Sequence, residues 1–312
     1  MRTIITILFF SIFVFGCNSQ SVSTDKQESA GNSKAANTAS ATFPYDLNHP
    51  STTYTLPEIL NEVSGVTFID STRLACIQDE LGTAFIYNLA SNSVEYEHKF
   101  DQEGDFEGVT FTTKALYILR SDGRLTEWGN FNVHTGGKEI QHITPLLQTT
   151  NNEGLCYDSL GNRLLIAGKN KPANNKSERY IYEYNLAKKE FGTEPAYRIN
   201  LNAVEQTAVQ LNLDLPKEYS AKGKEKAFNF RPSDLAVHPV TGEIYVLSAS
   251  DKLLLVLDRK GNIQHLAKLA PELFPKAEGI AFSPNGTMLI SNEAKGKRPT
   301  ILIFKPSKDS QK

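Results

Sequence analysis

The 312-residue sequence predicts an all-β fold, a five-bladed β-propeller. Three observations predict it. A Ser or Glu opens an apolar strand at Ser64, Glu107, Glu153, Ser233 and Glu278, so the starts lie 43, 46, 80 and 45 residues apart. Each start leads into the same order of parts. An apolar strand meets a turn (IDST, DSLGN, HPVTGE, SPNGT), then a second apolar strand (RLACI, ALYIL, RLLIA, EIYVL, TMLIS), a polar hairpin and a third strand. β-Branched and aromatic runs between such turns form antiparallel strands, and four strands in about 40–45 residues is the spacing of a propeller blade. Finally, the last unit reaches Lys305 with only three strands, while a strand-like stretch, STTYTLP (51–57), precedes the first unit. The two ends together complete one blade and leave no open edge.

Taken in order, the chain begins with Arg2, an apolar run from Ile4 to Phe15, and Gly16 before Cys17. A charged start followed by a short apolar stretch is a secretory signal, too short for a comfortable membrane span. Val14-Phe15-Gly16-Cys17 is similar to a bacterial lipobox, in which the Cys is lipidated and becomes the mature N-terminus. Residues 1–17 are therefore expected to be a lipoprotein signal peptide with lipidation at Cys17. Asn18 rather than Asp follows, which favours the outer membrane of a bacterial envelope. Residues 18–43 are rich in Ser, Ala, Asn, Lys and Thr, bury too little to repay ordering, and read as a disordered tether. The propeller is expected over 44–307, and 308–312 form a polar tail.

The interval of 80 residues leaves room for a sixth blade, which is the alternative architecture. Five is preferred because PAYRINL (195–201) reads as the outer strand of blade three. The following stretch, 202–228, lacks a two-strand alternation, and its apolar positions 204, 208, 209 and 211 suit a short helix, so it reads as a helical insertion. Glu103-Gly104 precedes Asp105 instead of an apolar strand and is not a repeat start. Cys76 and Cys156 lie in apolar strands of blades one and three, too far apart for a disulfide. Trp128 reads as packing and His238, before Pro239, as a turn residue.

In a propeller the loop leading into the innermost strand and the hairpin between strands two and three share one face. Ser64, Glu107, Glu153, Ser233 and Glu278 are thus brought to one mouth of the central channel. The hairpins bring Asp79, Glu80, Asp122, Asn170, Asp251, Asn292 and Glu293 to the same rim. Several carboxylates around one axis repel, so either their pKa values rise or a cation sits among them. Oxygen ligands suit a hard cation such as calcium, with Glu107, Glu153 and Glu278 as candidate ligands. Each Glu has a structural alternative, accepting backbone N–H groups and locking one blade to the next. Arg120, Lys169, Lys171, Lys295, Lys297 and Arg298 add bases to the face. Lys171, Lys295 and Lys297, like Lys222, Lys224 and Lys226 in the insertion, read as solvated. Asp79, Glu80, Arg120, Asp122, Lys169, Asn292 and Glu293 are the candidate contacts for a small polar or anionic ligand. The scattered His residues argue against zinc, and a formal charge of −2 argues against nucleic acid.

EVSG (62–65), QDELG (78–82), GDFEG (104–108), NEGLCYD (152–158), PSDLAVHP (232–239), AEGIAF (277–282) and SNE (291–293) together resemble the SdiA-regulated family, also called YjiK/CarP-like. The resemblance covers roughly 50–305. It implies an envelope-associated propeller and a link to calcium, and some members are likened to phytases, but it implies no settled reaction. Ser64-Gly65 and Ser233-Asp234 depart from the Glu-Gly pattern, so the ring is not acidic in all five blades. Three functions follow as expectations. The first is a lipid-anchored monomer binding calcium or a small polar ligand at the mouth. The others are a metal-dependent hydrolase such as a phosphoesterase, and an interaction scaffold.

Overall fold

Runs of Val, Ile, Leu and aromatic residues cut by turn residues form five antiparallel sheets in the computed structural model. The structure describes residues 43–144, 149–173 and 175–307. Cys17, the signal peptide, most of the tether and the 308–312 tail lie outside them. The five innermost strands are Val63–Phe68, Phe106–Thr112, Asn152–Asp158, Asp234–Val237 and Ala277–Phe282. They contact one another in cyclic order, the last touching the first, so the ring has five blades and not six. The fifth sheet runs Ala277–Phe282, Met288–Asn292, Thr300–Phe304, Thr52–Thr55. The N-terminal strand therefore closes the ring, with Thr53 opposite Leu302 and Tyr54 opposite Ile301. Arg298 supports this closure by donating to the Leu56 carbonyl at 3.3 Å, and it does not line the mouth.

Strand alternation sends successive side chains into opposite blade interfaces, and five apolar clusters result. Along Arg73–Gln78, Leu74 and Cys76 face blade five, while Ala75 and Ile77 face blade two. Cys156 belongs to the interface of blades three and four, so the two thiols are buried apart and free. Trp128 packs against Phe100 and Phe131 between blades one and two.

The outer strand of blade three is split. Glu190–Phe191 and Tyr197–Asn200 both pair with Glu178–Asn185. Asn200 then caps a helix, Leu201–Gln210, by accepting from Ala203 N at 3.2 Å. The buried face is Leu201, Val204 and Ala208, whereas Val209 and Leu211 are exposed. The expected insertion is thus helical only at its start. Its apolar stripe runs at intervals of three and four from residue 201, which turns residue 209 away from the sheet.

Phe43, assigned to the tether from sequence, belongs to the fold and stacks on His265 with ring centroids 4.2 Å apart. Next to it, the Tyr45 hydroxyl donates to the Gly286 carbonyl at 2.6 Å and lies 3.0 Å from His238 Nε2. His238 Nδ1 accepts from Thr241 N at 3.1 Å, so the proton sits on Nε2 and the ring ties the N-terminal segment to a turn.

Near the axis the blades approach closely. A methyl at Gly108 would stand 2.7 Å from Leu155 Cβ and 2.9 Å from the Glu153 carbonyl, and one at Gly154 would stand 3.0 Å from Asp234 Cα. These glycines are needed for proximity and not for an unusual φ. Gly108→Ala is expected to lower stability by about 1–3 kcal/mol through overpacking, read as a reduced urea midpoint. Gly129→Ala, whose methyl meets nothing closer than 3.7 Å, is the control and is expected to leave the midpoint in place.

Candidate functional site

The residue before each axial glycine is an extra one. In blade two, Phe106 pairs with Arg120 and Gly108 with Leu119, which leaves Glu107 without a cross-strand partner. The same bulge leaves out Ser64, Glu153 and Glu278. In blade four Asp234 stands opposite Leu247, and Ser233 N also bonds the Leu247 carbonyl, so Ser233 fills the corresponding place. A bulge re-aims its side chain, and here it turns each one to the channel mouth or the next blade.

Which of the two happens depends on the side chain. Ser64 Oγ donates to the Phe106 carbonyl at 2.7 Å and Ser233 Oγ to the Ala277 carbonyl at 3.0 Å, tying each blade to the next. Asp234, standing in the glycine position of blade four, accepts from Leu155 N at 3.2 Å and Ile280 N at 2.8 Å. One carboxylate thus joins three blades, and its burial pushes its pKa well above the carboxylate range. At the bulge and glycine positions the blade ties come from these three residues, and farther out Thr110 Oγ1 accepts from Tyr157 N at 3.0 Å and Arg259 pairs with Asp158 at 2.8 Å across blade boundaries. No backbone N–H bonds the carboxylates of Glu107, Glu153 or Glu278 among the described residues.

Two of the three glutamates instead meet lysines. Glu153 is buried, with Lys169 Nζ at 2.6 Å and Asn151 Nδ2 at 2.9 Å. Burial raises its pKa to about 7, and Lys169 restrains the rise. Glu278 is also buried and lies 3.3 Å from Lys276 Nζ; burial pushes its pKa upward too. Lys276 bridges on to Glu293. Glu107 is half-buried and makes no hydrogen bond or ion pair with the described residues. Burial, then repulsion from Glu153 and Asp105, pushes its pKa to about 9. Burial disfavours the Lys169 ammonium, yet Glu153, Glu278 and Glu107 together hold its pKa above the ordinary lysine value. Asp79 is raised to about 6 by burial and by Glu62, Glu293 and Glu80.

Charged groups therefore run around the mouth from Asp79 through Glu293, Lys276, Glu278, Lys169 and Glu153 to Glu107. A cavity of about 200 Å³ opens beside them, lined by Lys169, Arg231, Lys252, Lys276, Glu278 and Lys295 among others. Lys295 is exposed, as its reading as a solvated tip requires, but it also borders this cavity. Lys252 Nζ donates to the Pro275 carbonyl at 2.6 Å. Burial and the nearby Lys295 lower its pKa.

Other sequence-derived candidates are not drawn in. Arg120 and Asp122 pair with each other at 2.5 Å on the blade-two hairpin. Glu80 is exposed, its backbone N–H bonded to Gln78. Asn292 is fully buried and turns inward, donating to Thr300 Oγ1 across its hairpin and to the Leu273 carbonyl of the turn before the inner strand, each at 3.1 Å. Lys276 was missed from sequence, although a signal for it exists. The position two residues before each repeat start holds Glu62, Asp105, Asn151, Arg231 or Lys276, polar in every blade. Asn151 bonds Glu153, Arg231 pairs with Asp251, and Lys276 holds Glu278.

Calcium does not find a ready cage here. Lys169 already lies among the three glutamates, and no group of three or more His, Cys, Asp or Glu among the described residues is placed to hold a metal ion.

Fold and mouth define a five-bladed β-propeller with mixed acid and base at one end of its channel. The chain matches the SdiA-regulated family over residues 45–295 and belongs to it. No curated protein matches. Among solved structures, Myxococcus xanthus glutaminyl cyclase is similar at 14% identity with a TM-score of 0.54, over 83% of this chain and 96% of that one. A luciferin-regenerating enzyme aligns at 11% identity with a TM-score of 0.48, over 82% of this chain and 95% of that one. At these identities the likeness concerns the fold.

The pKa of Glu107 carries a pH consequence. Its ordinary value is 4.5 and its folded value about 9, so between them the unfolded chain releases a proton that the folded chain keeps. The contribution of Glu107 to stability is complete below pH 4.5 and is lost as pH rises toward 9. Glu107→Gln, which mimics the protonated acid, is expected to raise the melting temperature more at pH 8.5 than at pH 5. A parallel pair of melting curves across that range would contradict this.

Proposed function

We propose that this protein is a lipid-anchored envelope propeller that binds a small polar ligand with an anionic group at the charged mouth of its channel. The observation that carries the reading is the cavity of about 200 Å³ bordered by Lys169, Arg231, Lys252, Lys276 and Lys295 against one lining carboxylate, Glu278. Lys252 has no carboxylate partner, burial and then the nearby Lys295 lower its pKa, and an anion bound there would supply the missing counter-charge. The buried glutamates beneath hold Lys169 and Lys276 in place, which lowers the ordering cost that a ligand must meet. A divalent cation such as calcium has less support, because the ammonium of Lys169 already serves the carboxylates that would bind it. The anchor rests on Val14-Phe15-Gly16-Cys17.

Millimolar inorganic phosphate or a small carboxylate is expected to raise the melting temperature by a saturable amount, and Lys252→Met to abolish the rise. Calcium chloride is the contrasting arm. A calcium-dependent rise lost in the Glu107→Gln/Glu153→Gln double variant, with no response to anions, would select the cation instead. For the anchor, Cys17→Ser is expected to move the protein from the membrane fraction to the soluble fraction. Retention in the membrane fraction would refute a lipid at Cys17.

A further inference from the structure

We propose that the ligand is a zwitterion, with its anionic group on Lys252 and Lys295 and its ammonium on Glu107. The inference rests on reading the mouth as a small-ligand site, and it names the ligand class.

Charge is unevenly distributed around the mouth. Blades one and two bring Glu62, Asp79, Asp105 and Glu107 to their side, and blades four and five bring Lys252, Lys276 and Lys295. Between these poles the charges are already matched, Glu153 by Lys169 and Glu278 and Glu293 by Lys276. Three half-buried groups at the poles are not matched among the described residues: Glu107, Lys252 and Asp79, whose buried Oδ1 has no partner. Glu107 has no hydrogen bond or ion pair among the described residues. Lys252 has only the Pro275 carbonyl and no carboxylate, and it lines the cavity with Lys295 beside it.

A half-buried ionisable group without a partner gains most from a ligand that supplies one: an ammonium displaces the proton that the unpartnered Glu107 carboxyl keeps, and an anion meets the Lys252 ammonium. A metal ion would answer only Glu107, and phosphate only the lysines. A molecule bearing an ammonium and a carboxylate answers both, and the separation it must span is set by the inner strand of blade two and the short hairpin of blade four. Glu107 stands on a bulge of the Phe106–Thr112 strand, and Lys252 at the hairpin before Leu253–Leu257, so neither pole depends on a long loop. The site is therefore expected to discriminate by length.

The test is isothermal titration calorimetry with straight-chain ω-amino acids from glycine to 6-aminohexanoate. Carboxylates and alkylamines of matched length serve as the two halves. One amino-acid length is expected to bind at least about tenfold more tightly than either half, a difference of about 1.4 kcal/mol. Glu107→Gln should erase that advantage and leave the carboxylate affinity unchanged. Lys252→Met should weaken amino acid and carboxylate alike, with circular dichroism confirming that both variants fold. If carboxylates bind as tightly as every amino acid, or Glu107→Gln affects both equally, the zwitterion is overturned while the small-anion site stands. If none of the three series binds, and phosphate does not bind either, both readings fall.

Discussion

The approach of five inner strands around one axis is the constraint on which the rest depends. At Gly65, Gly108, Gly154 and Gly279 there is no room for a methyl group without displacing the neighbouring blade. Blade four meets the same crowding differently. Asp234 occupies the glycine position and reaches both neighbouring strands through Leu155 N and Ile280 N. The exposed inner edges of two blades thereby gain an acceptor inside the channel, where a carboxylate would otherwise be costly. Packing against the axis then forces the preceding residue out as a bulge, and that bulge places Glu107, Glu153 and Glu278 where they are.

The same constraint explains why acid and base are interleaved at the mouth. The bulged residues arrive at fixed places, and the polar residues two positions earlier arrive with them. Lys276 and Asn151 meet the glutamates of their own blades, and Lys169 comes across from the neighbouring hairpin strand. Carboxylates forced together by backbone geometry are thus answered from within the chain. Glu107, whose own leading residue is the acidic Asp105, is the one left unanswered.

Much of this was legible in the sequence. The repeat phrase marked five inner strands, and the three-strand final unit pointed to closure by Thr52–Thr55. The separation of Cys76 from Cys156 followed from blade order alone. The reading was less complete at the rim. Lys276 lies inside the phrase KAEGIAF, and its partners Glu278 and Glu293 become evident only when the fold brings the hairpin to the entry of the inner strand. Asn292 looked like a ligand by position, but its amide is taken up by Thr300 Oγ1 across its hairpin and by the Leu273 carbonyl of the turn before the inner strand. Arg120 and Asp122 satisfy each other, which two residues of separation permit but do not require.

The sequence by itself favoured five blades over six and pointed to the closing strand and to the face on which the glutamates lie. These depend on period, alternation and turn chemistry, which are local and repeat along the chain. Only the tertiary structure decided which side chains tie blades and which meet at the mouth. Ser64 and Ser233 are short enough to reach the next strand's carbonyl, whereas a glutamate on the same bulge extends past it toward the axis. The ion pairs there form within a blade, but Lys169 also lies in the field of Glu278 and Glu107 from other blades, and no spacing along one chain encodes a distance across a ring.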